Sequence, residues 1–315
     1  MSKKQTIISV VGPTALGKTR LAIALAKEMD GEIISADSMQ IYTGLQIATA
    51  KPDENEKQGV PHFLMDFLPP DQSYSVAMFV KDAKRCINDI ASRGKLPILA
   101  GGTGLYVDSL LQNIQFSKEE RDETFCQQLR KQYEADGIEP LLEQLHAIDL
   151  PSYDRLKEGK NPKRIIRAIE FYHTTGKTIT EQNEASKQCA SPYNAIKIGL
   201  GFRDRANLYD RINLRVDIML QNGLMDEAKQ VLFADLSETA IKAIGYKELA
   251  PYFDGDQNLD TCIEKLKRET RHYAKRQITW FKRDKDIYWL YVDEEPDFQT
   301  LLAKAVQQIK GRLYG

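Results

Sequence analysis

Apolar and polar positions along the chain fall into two regimes. In the first, short β-branched runs recur between stretches of helical period, at residues 6–11, 32–36, 96–100, 194–201 and 287–292. Such alternation predicts an α/β fold, a parallel sheet flanked by helices. In the second, from about Phe116 to Pro192, the strand signal disappears and polar helical text takes over at residues 119–135, 138–148 and 161–175. Asn161-Pro162 opens the last of these with a capping side chain and a proline at the first helical position. The pattern predicts a core built from residues 1–115 and 193–315, with its basic helices near the C-terminal end, interrupted by a helical insertion over 116–192. No repeat, low-complexity tract or proline-rich linker breaks this plan.

The first apolar run leads into Gly12-Pro13-Thr14-Ala15-Leu16-Gly17-Lys18-Thr19, which fits the phosphate-loop pattern G-x-x-x-x-G-K-[ST] in full. Glycines permit the tight turns that aim successive backbone N–H groups and a helix N-terminus at one anion. Lys18 adds a mobile positive charge, and Thr19 offers a hydroxyl to Mg²⁺. The loop predicts a bound phosphate ester and leaves open whether that phosphate belongs to a nucleotide. The loops at Gly12 and Asp37 both follow strands, so both are expected at the carboxyl edge of the sheet, with Asp37 near the phosphate.

Composition narrows the setting. The chain is 42% hydrophobic and 28% charged, as soluble globular proteins are. No apolar run reaches the roughly 18 residues that span a bilayer, and Met1-Ser2-Lys3-Lys4 leads into a strand, so a cytoplasmic protein without a membrane partner is expected. Cys86, Cys126, Cys189 and Cys262 are scattered without a C-x-x-C pair, which argues against a zinc site or a disulfide framework. A net charge of −1 requires any nucleic acid to be met by a local basic surface. Residues 265–285 supply one, including Arg268, Arg271, Lys275, Arg276 and Lys282 against Glu269 and Asp284. On a helix, Arg268, Arg271, Lys275 and Lys282 form a stripe suited to a phosphate backbone. His272, Tyr273 and Trp280 would stack bases or pack inward.

Three further segments carry a resemblance: residues 35–42 (SADSMQIY), 100–106 (AGGTGLY) and 268–281 (RETRHYAKRQITWF). Together with the phosphate loop, and with VPHFL, NPKRIIRAIE and AIGYKE in the same order, the chain resembles the tRNA dimethylallyltransferases of bacterial type. Eukaryotic members of that family add a C-terminal zinc module. The resemblance implies transfer of a dimethylallyl group from dimethylallyl diphosphate to N6 of adenine at tRNA position 37, just 3′ of the anticodon, in tRNAs reading codons that start with U. It implies a P-loop fold whose helical insertion touches tRNA, Mg²⁺ as cofactor and the tRNA anticodon stem-loop as partner; a monomer is expected because nothing in the sequence suggests a coiled coil or an exposed self-pairing strand.

Roles then attach to residues. The diphosphate falls to Gly12, Pro13, Thr14, Ala15, Leu16, Gly17, Lys18 and Thr19, with Arg215 and, less directly, Arg211 as further cations. Thr19 and Arg215 share the catalytic role with Asp37, and Thr19 is the magnesium ligand. An adenine amine is a weak nucleophile, so a carboxylate should orient it and take its proton; Asp37 is assigned there, against the alternatives of a helix cap or a ligand of Mg²⁺-bound water. The tRNA falls to Asp37, Ser38, Met39, Gln40, Thr103, Lys163, Arg164, Ile165, Ile166, Arg167, Arg271, Lys275 and Arg276. His62 is a candidate for the prenyl channel. Phe63 and Leu16 depart from the family's usual histidine and serine. The rival readings are a small-molecule kinase of the same fold, a prenyltransferase acting on free adenine nucleotides, and a non-catalytic RNA-binding protein.

Overall fold

The computed structural model describes residues 4–116, 121–234, 240 and 243–314. The chain begins with β1 (Gln5–Val11), α1 (Lys18–Glu28), β2 (Gly31–Ser35), α2 (Glu54–Lys57), β3 (His62–Phe63), α3 (Val76–Ser92), β4 (Leu96–Gly101) and α4 (Gly104–Leu111). Helices α5 (Glu123–Asp136), α6 (Glu139–Ile148), α7 (Leu150–Leu156), α8 (Pro162–Thr175) and α9 (Ile179–Gln188) follow. The chain then runs through β5 (Tyr193–Gly201), α10 (Arg205–Gln221), α11 (Leu224–Leu232), α12 (Ala250–Phe253), α13 (Leu259–Phe281), β6 (Tyr288–Tyr291) and α14 (Phe298–Tyr314). Contacts divide it into two compact units, residues 1–111 with 192–315, and residues 112–191.

The first unit is the α/β body. Its sheet has the order β3-β2-β4-β1-β5-β6, and every pair is parallel. The five strand runs expected from sequence are all present. Sequence pattern did not reveal β3, because two residues pairing with Ile33 and Ile34 carry no period. The central strands are apolar without alternation, since helices cover both faces of a parallel sheet. Ile8, Val10, Ile98, Ile196 and Ile198 pack there with Leu21, Leu25 and Ala26 of α1.

Strand order reverses at β1, so the exits of β2, β4 and β1 lie side by side at the carboxyl edge. These exits touch backbone to backbone. Ala36 N donates to Ala100 O at 2.8 Å and Thr103 N to Ala36 O at 3.1 Å. A Cβ on Gly101 would stand 2.2 Å from Ala36 O, so glycine is required for this approach.

The second unit is all helical, with its own core of Cys126, Leu129, Leu141, Leu145, Ile165 and Ile169. The expected start at residue 119 lies outside the described residues; α5 is capped by Asp122, which accepts from Phe125 N at 2.9 Å. Two of its helices have no clear sequence signal. α7 is seven residues long, and α9 buries only Ser186, leaving no apolar stripe to read. The structure explains α9 by capping: Thr178 and Glu181 form a reciprocal box, and Asp149 accepts from Thr180 Oγ1 at 2.6 Å.

Candidate active site

The loop between β1 and α1 turns through positive φ at Gly12 (135°), Ala15 (68°) and Gly17 (79°). Gly17 caps α1 without a side-chain bond, so the first amides of the helix remain free for an anion. Leu16 is 3% exposed and packs in the sheet core, which accounts for an apolar side chain at that position. Lys18 Nζ donates to Pro13 O at 2.8 Å, folding the ammonium over its own loop.

Lys18 lines a cavity of about 990 Å³ together with Thr14, Thr19, Asp37 and Arg215. Burial pulls the Lys18 pKa from 10.5 to about 8, Asp37 opposes the shift, and Arg215 adds to it. Burial also lowers Arg215, against the charges of Asp37 and Glu56. Two cations that lose solvation together, with one carboxylate acting on both, make a site suited to an anion carrying more than one charge.

Arg211 lies outside the cavity lining. Its Nε donates to Ala15 O at 3.2 Å, so it braces the phosphate loop from behind.

Asp37 Oδ1 accepts from Met39 N at 2.9 Å. One carboxylate oxygen is thus committed to a local turn, and Oδ2 has no hydrogen bond among the described residues. Ser38 N donates to Thr103 Oγ1 at 3.0 Å, which ties the segment after β2 to the glycine-rich loop after β4. The amide of Gln40 is spent inside the protein, donating to Thr49 O at 3.1 Å and Ala50 O at 3.3 Å.

Gln277 of α13 was not singled out from sequence. It accepts from Thr14 N at 2.9 Å and donates to Gly102 O at 3.0 Å, so one buried amide clips the phosphate loop to the glycine-rich loop. Tyr273, one turn earlier, lines the cavity, and burial raises its pKa. The cavity also takes in residues 46–52, Met219, Leu224, Ala243 and Leu266, which no motif marked individually.

The basic stripe divides in two. Arg271 Nη1 donates to Asn213 Oδ1 at 2.6 Å, and Lys267 pairs with Asp217 at 2.8 Å, so both face α10. Arg268, Lys275, Arg276 and Lys282 are exposed, and Arg276 also lines the cavity. Trp280 packs inward: its Nε1 donates to Asp108 Oδ2 at 2.8 Å, and a Cβ on Gly104 would meet its ring at 2.2 Å. His272 remains exposed.

In the helical unit, Lys163 and Arg164 are exposed, while Arg167 pairs with the buried Glu170. Ile165 and Ile166 are core residues, 0% and 4% exposed, so only their backbone is available to a partner. His62 does not line the cavity; its Nδ1 is tied to Val60 O at 2.8 Å, and burial lowers its pKa.

The family model described as IPP transferase matches residues 40–284, and that described as isopentenyl transferase matches residues 5–68. The chain is 44% identical over 310 residues to a tRNA dimethylallyltransferase of Thermoanaerobacter sp. (strain X514), covering 98% of each. It is 43% identical over 311 residues to the tRNA dimethylallyltransferase of Bacillus subtilis (strain 168), again covering 98% of each. The full-length tRNA isopentenylpyrophosphate transferase of Bacillus halodurans is similar in structure, with a TM-score of 0.74 at 40% identity over 98% of this chain and 97% of that one. A eukaryotic dimethylallyltransferase acting on tRNA gives a TM-score of 0.82 at 28% identity, over 96% of this chain and 78% of that one.

Proposed function

The chain belongs to the tRNA dimethylallyltransferase (IPP transferase) family, and from that premise we propose that it transfers a dimethylallyl group from dimethylallyl diphosphate to N6 of the adenine just 3′ of the anticodon, in tRNAs reading codons that start with U. The observation carrying this reading is one cavity that holds two desolvated cations, Lys18 and Arg215, beside a carboxylate with a free oxygen, Asp37.

In that cavity the diphosphate is a leaving group. As the bond between the allylic carbon and oxygen breaks, negative charge grows on the departing oxygen. The free amides at the start of α1, Lys18 and Arg215 are arranged to receive it. The adenine N6 forms the new bond to the allylic carbon, and the proton it sheds passes to Oδ2 of Asp37. Oδ1, held by Met39 N, keeps the carboxylate oriented. Thr103 and Ser38, bonded to each other beside Asp37, frame the place where the base arrives. A target adenine must leave its stack to reach this depth, at a cost of about a few kcal/mol offset by backbone contacts.

Magnesium fits this donor set as a cation carried by the diphosphate. Among the described residues no cluster of three acidic, histidine or cysteine side chains could hold a metal by itself. The Thr19 hydroxyl in the cavity would supply one protein oxygen, and Mg²⁺ commonly keeps waters and phosphate oxygens for the rest. Bound there, the ion neutralises diphosphate charge.

Exposed Lys275 and Arg276 on α13 and Lys163 and Arg164 on α8 are proposed contacts to the tRNA backbone. No helix among the described residues is long and apolar enough to cross a membrane, and the two sheet edges, β3 and β6, are two and four residues long. Such short edges offer little for self-pairing, which supports a monomer; a cytoplasmic location is proposed from the tRNA substrate of the family.

The test is incorporation of label from dimethylallyl diphosphate into an anticodon stem-loop with adenine at position 37, with AMP as competing acceptor and ATP as competing donor. Labelled stem-loop, lost when that adenine is replaced by guanine, is the expected result. Labelled AMP would move the protein to free-nucleotide prenylation, and phosphate transfer from ATP would move it to the kinases.

A further inference from the structure

Glu227 sits in the first turn of α11, a helix whose N-cap Gly223 has φ of 96° and no side-chain cap. Its Oε2 accepts from Gln46 N at 2.8 Å and Ile47 N at 2.7 Å. Its Oε1 accepts from Ala48 N at 2.9 Å and Tyr246 Oη at 2.9 Å. Both side chains are buried, Glu227 at 9% exposure and Tyr246 at 0%. A buried carboxylate is costly unless its lone pairs are met, and four donors meet them here.

Three consecutive backbone N–H groups converging on one anion form a nest, a geometry usually found around bound phosphates. Here the protein's own side chain fills it. The conformation of residues 46–48 is therefore imposed by α11 from behind the loop. Downstream, Gln40 holds the carbonyls of Thr49 and Ala50, and buried Lys51 donates to Tyr42 O and pairs with Asp66. Ala48 lies close over Gly245, where an added Cβ would stand 3.0 Å from the Ala48 Cβ, so a larger residue at 245 would press on the loop.

The other side of this loop faces the cavity. Ile47 and Ala48 line it with Met219, Leu224, Ala243 and Leu266, all apolar, whereas Lys18, Thr19, Asp37 and Arg215 form its polar part. An allylic diphosphate has the same division, a charged head and a short hydrocarbon chain. We infer that Glu227, with Tyr246, is a positioning residue that holds residues 46–48 as the wall on which the donor's five-carbon chain packs, and so sets the chain length accepted. This rests on the transferase reading above for the identity of the donor.

The experiment uses the full-length protein and the variants Glu227→Gln, Tyr246→Phe and Ile47→Ala. Glutamine offers one acceptor oxygen and turns an NH₂ toward the loop amides, so the nest opens without a large change in volume. Binding of dimethylallyl diphosphate and of inorganic diphosphate is measured without RNA; transfer from dimethylallyl and from geranyl diphosphate is then measured with a stem-loop. For Glu227→Gln the expected result is at least a tenfold loss of dimethylallyl diphosphate affinity, with inorganic diphosphate within twofold. The preference for the five-carbon over the ten-carbon donor should fall at least tenfold. Tyr246→Phe should move both readouts the same way by a smaller factor. Ile47→Ala, which leaves the carboxylate untouched, should raise geranyl transfer and carries the test if Glu227→Gln does not fold. Equal loss of both diphosphates, or unchanged affinity and selectivity, would overturn the inference. A wild-type protein that prenylates no stem-loop would instead overturn the transferase reading, while the binding comparison still reports on Glu227.

Discussion

Asp37 divides its work between two oxygens. Oδ1 accepts from Met39 N at 2.9 Å, and Oδ2 is left for a proton. Asparagine can keep the first bond and cannot do the second, so Asp37→Asn separates catalysis from loop structure. Its transfer rate should fall by about a thousandfold, within the range for a lost general base, with stem-loop affinity within about threefold. A near-normal rate in single-turnover measurements would remove Asp37 from proton transfer. Lys18 gives a pH signature. Diphosphate binds the ammonium form, and this form is lost in the free protein as pH rises through about 8. Affinity for dimethylallyl diphosphate should therefore drop about tenfold per pH unit above 8, and Lys18→Gln should flatten that slope. Stability moves the other way. The folded pKa, about 8, lies below the ordinary 10.5 of the unfolded chain, so the unfolded state binds more protons between them and this site favours folding increasingly as pH rises from 8 to 10.5. Titration calorimetry and thermal melts across that window check both signs. Residues such as Lys18 and Asp37 are legible in sequence because each follows a strand within a recognisable segment. Gln277 and Glu227 are not, because the amides they hold lie 263 and about 180 residues away and leave no local period.

The element whose sequence and structure differ most in meaning is α13. Its charge run is readable as a stripe, but helical spacing does not say what stands opposite. Helix α10 does: Asn213 and Asp217 take up Arg271 and Lys267, leaving Arg268, Lys275, Arg276 and Lys282 outward. The same helix turns Gln277 inward to Thr14 and Gly102, so the face beside the outward charges is tied to the phosphate loop. Two substitutions should part these functions. Replacing Lys275 and Arg276 with glutamine should weaken stem-loop binding and reduce the slope of log K against log salt by about 1.4 to 1.8, as expected for two lost phosphate contacts. Gln277→Ala strands the Thr14 amide and the Gly102 carbonyl. It should raise KM for dimethylallyl diphosphate by about tenfold or more, at a cost of about 1–3 kcal/mol per unsatisfied buried group, while leaving the salt slope as it was. An unchanged slope in the first variant would assign Lys275 and Arg276 to solvent, and an unchanged KM in the second would make the Gln277 clip incidental. Short elements explain most of what sequence pattern could not show. β3 has two residues, α7 has seven, and α9 is specified by its caps rather than by a buried face.

At the scale of the whole molecule, the sheet core packed around α1 and the core of the helical unit, among the described residues, share no residue. The sheet core draws on residues before 111 and after 192, whereas the helical core lies between Cys126 and Ile169. The helical unit leaves and rejoins the chain at one place, for Asn113 Nδ2 donates to Ala190 O at 3.2 Å and Gln115 N to Ser186 Oγ at 3.2 Å. A bridge of about four residues, at roughly 3.3 Å each, can therefore span the gap if residues 113–190 are removed. Each core keeps its own packing in such a variant, so the sheet unit should unfold cooperatively within a few degrees of the parent. Every residue of the phosphate site, from Thr14 to Arg215 and Gln277, belongs to that unit, and dimethylallyl diphosphate affinity should stay within about threefold. The exposed Lys163 and Arg164 are lost with the insertion, and stem-loop affinity should fall by at least about tenfold, with a salt slope reduced by the contacts those residues made. If the shortened protein bound the stem-loop as tightly as its parent, the recognition surface would lie wholly on the sheet unit, and α13 would have to supply it. If it lost the donor as well, the two cores would be energetically joined despite sharing no side chain, and the phosphate site would depend on the insertion for its shape.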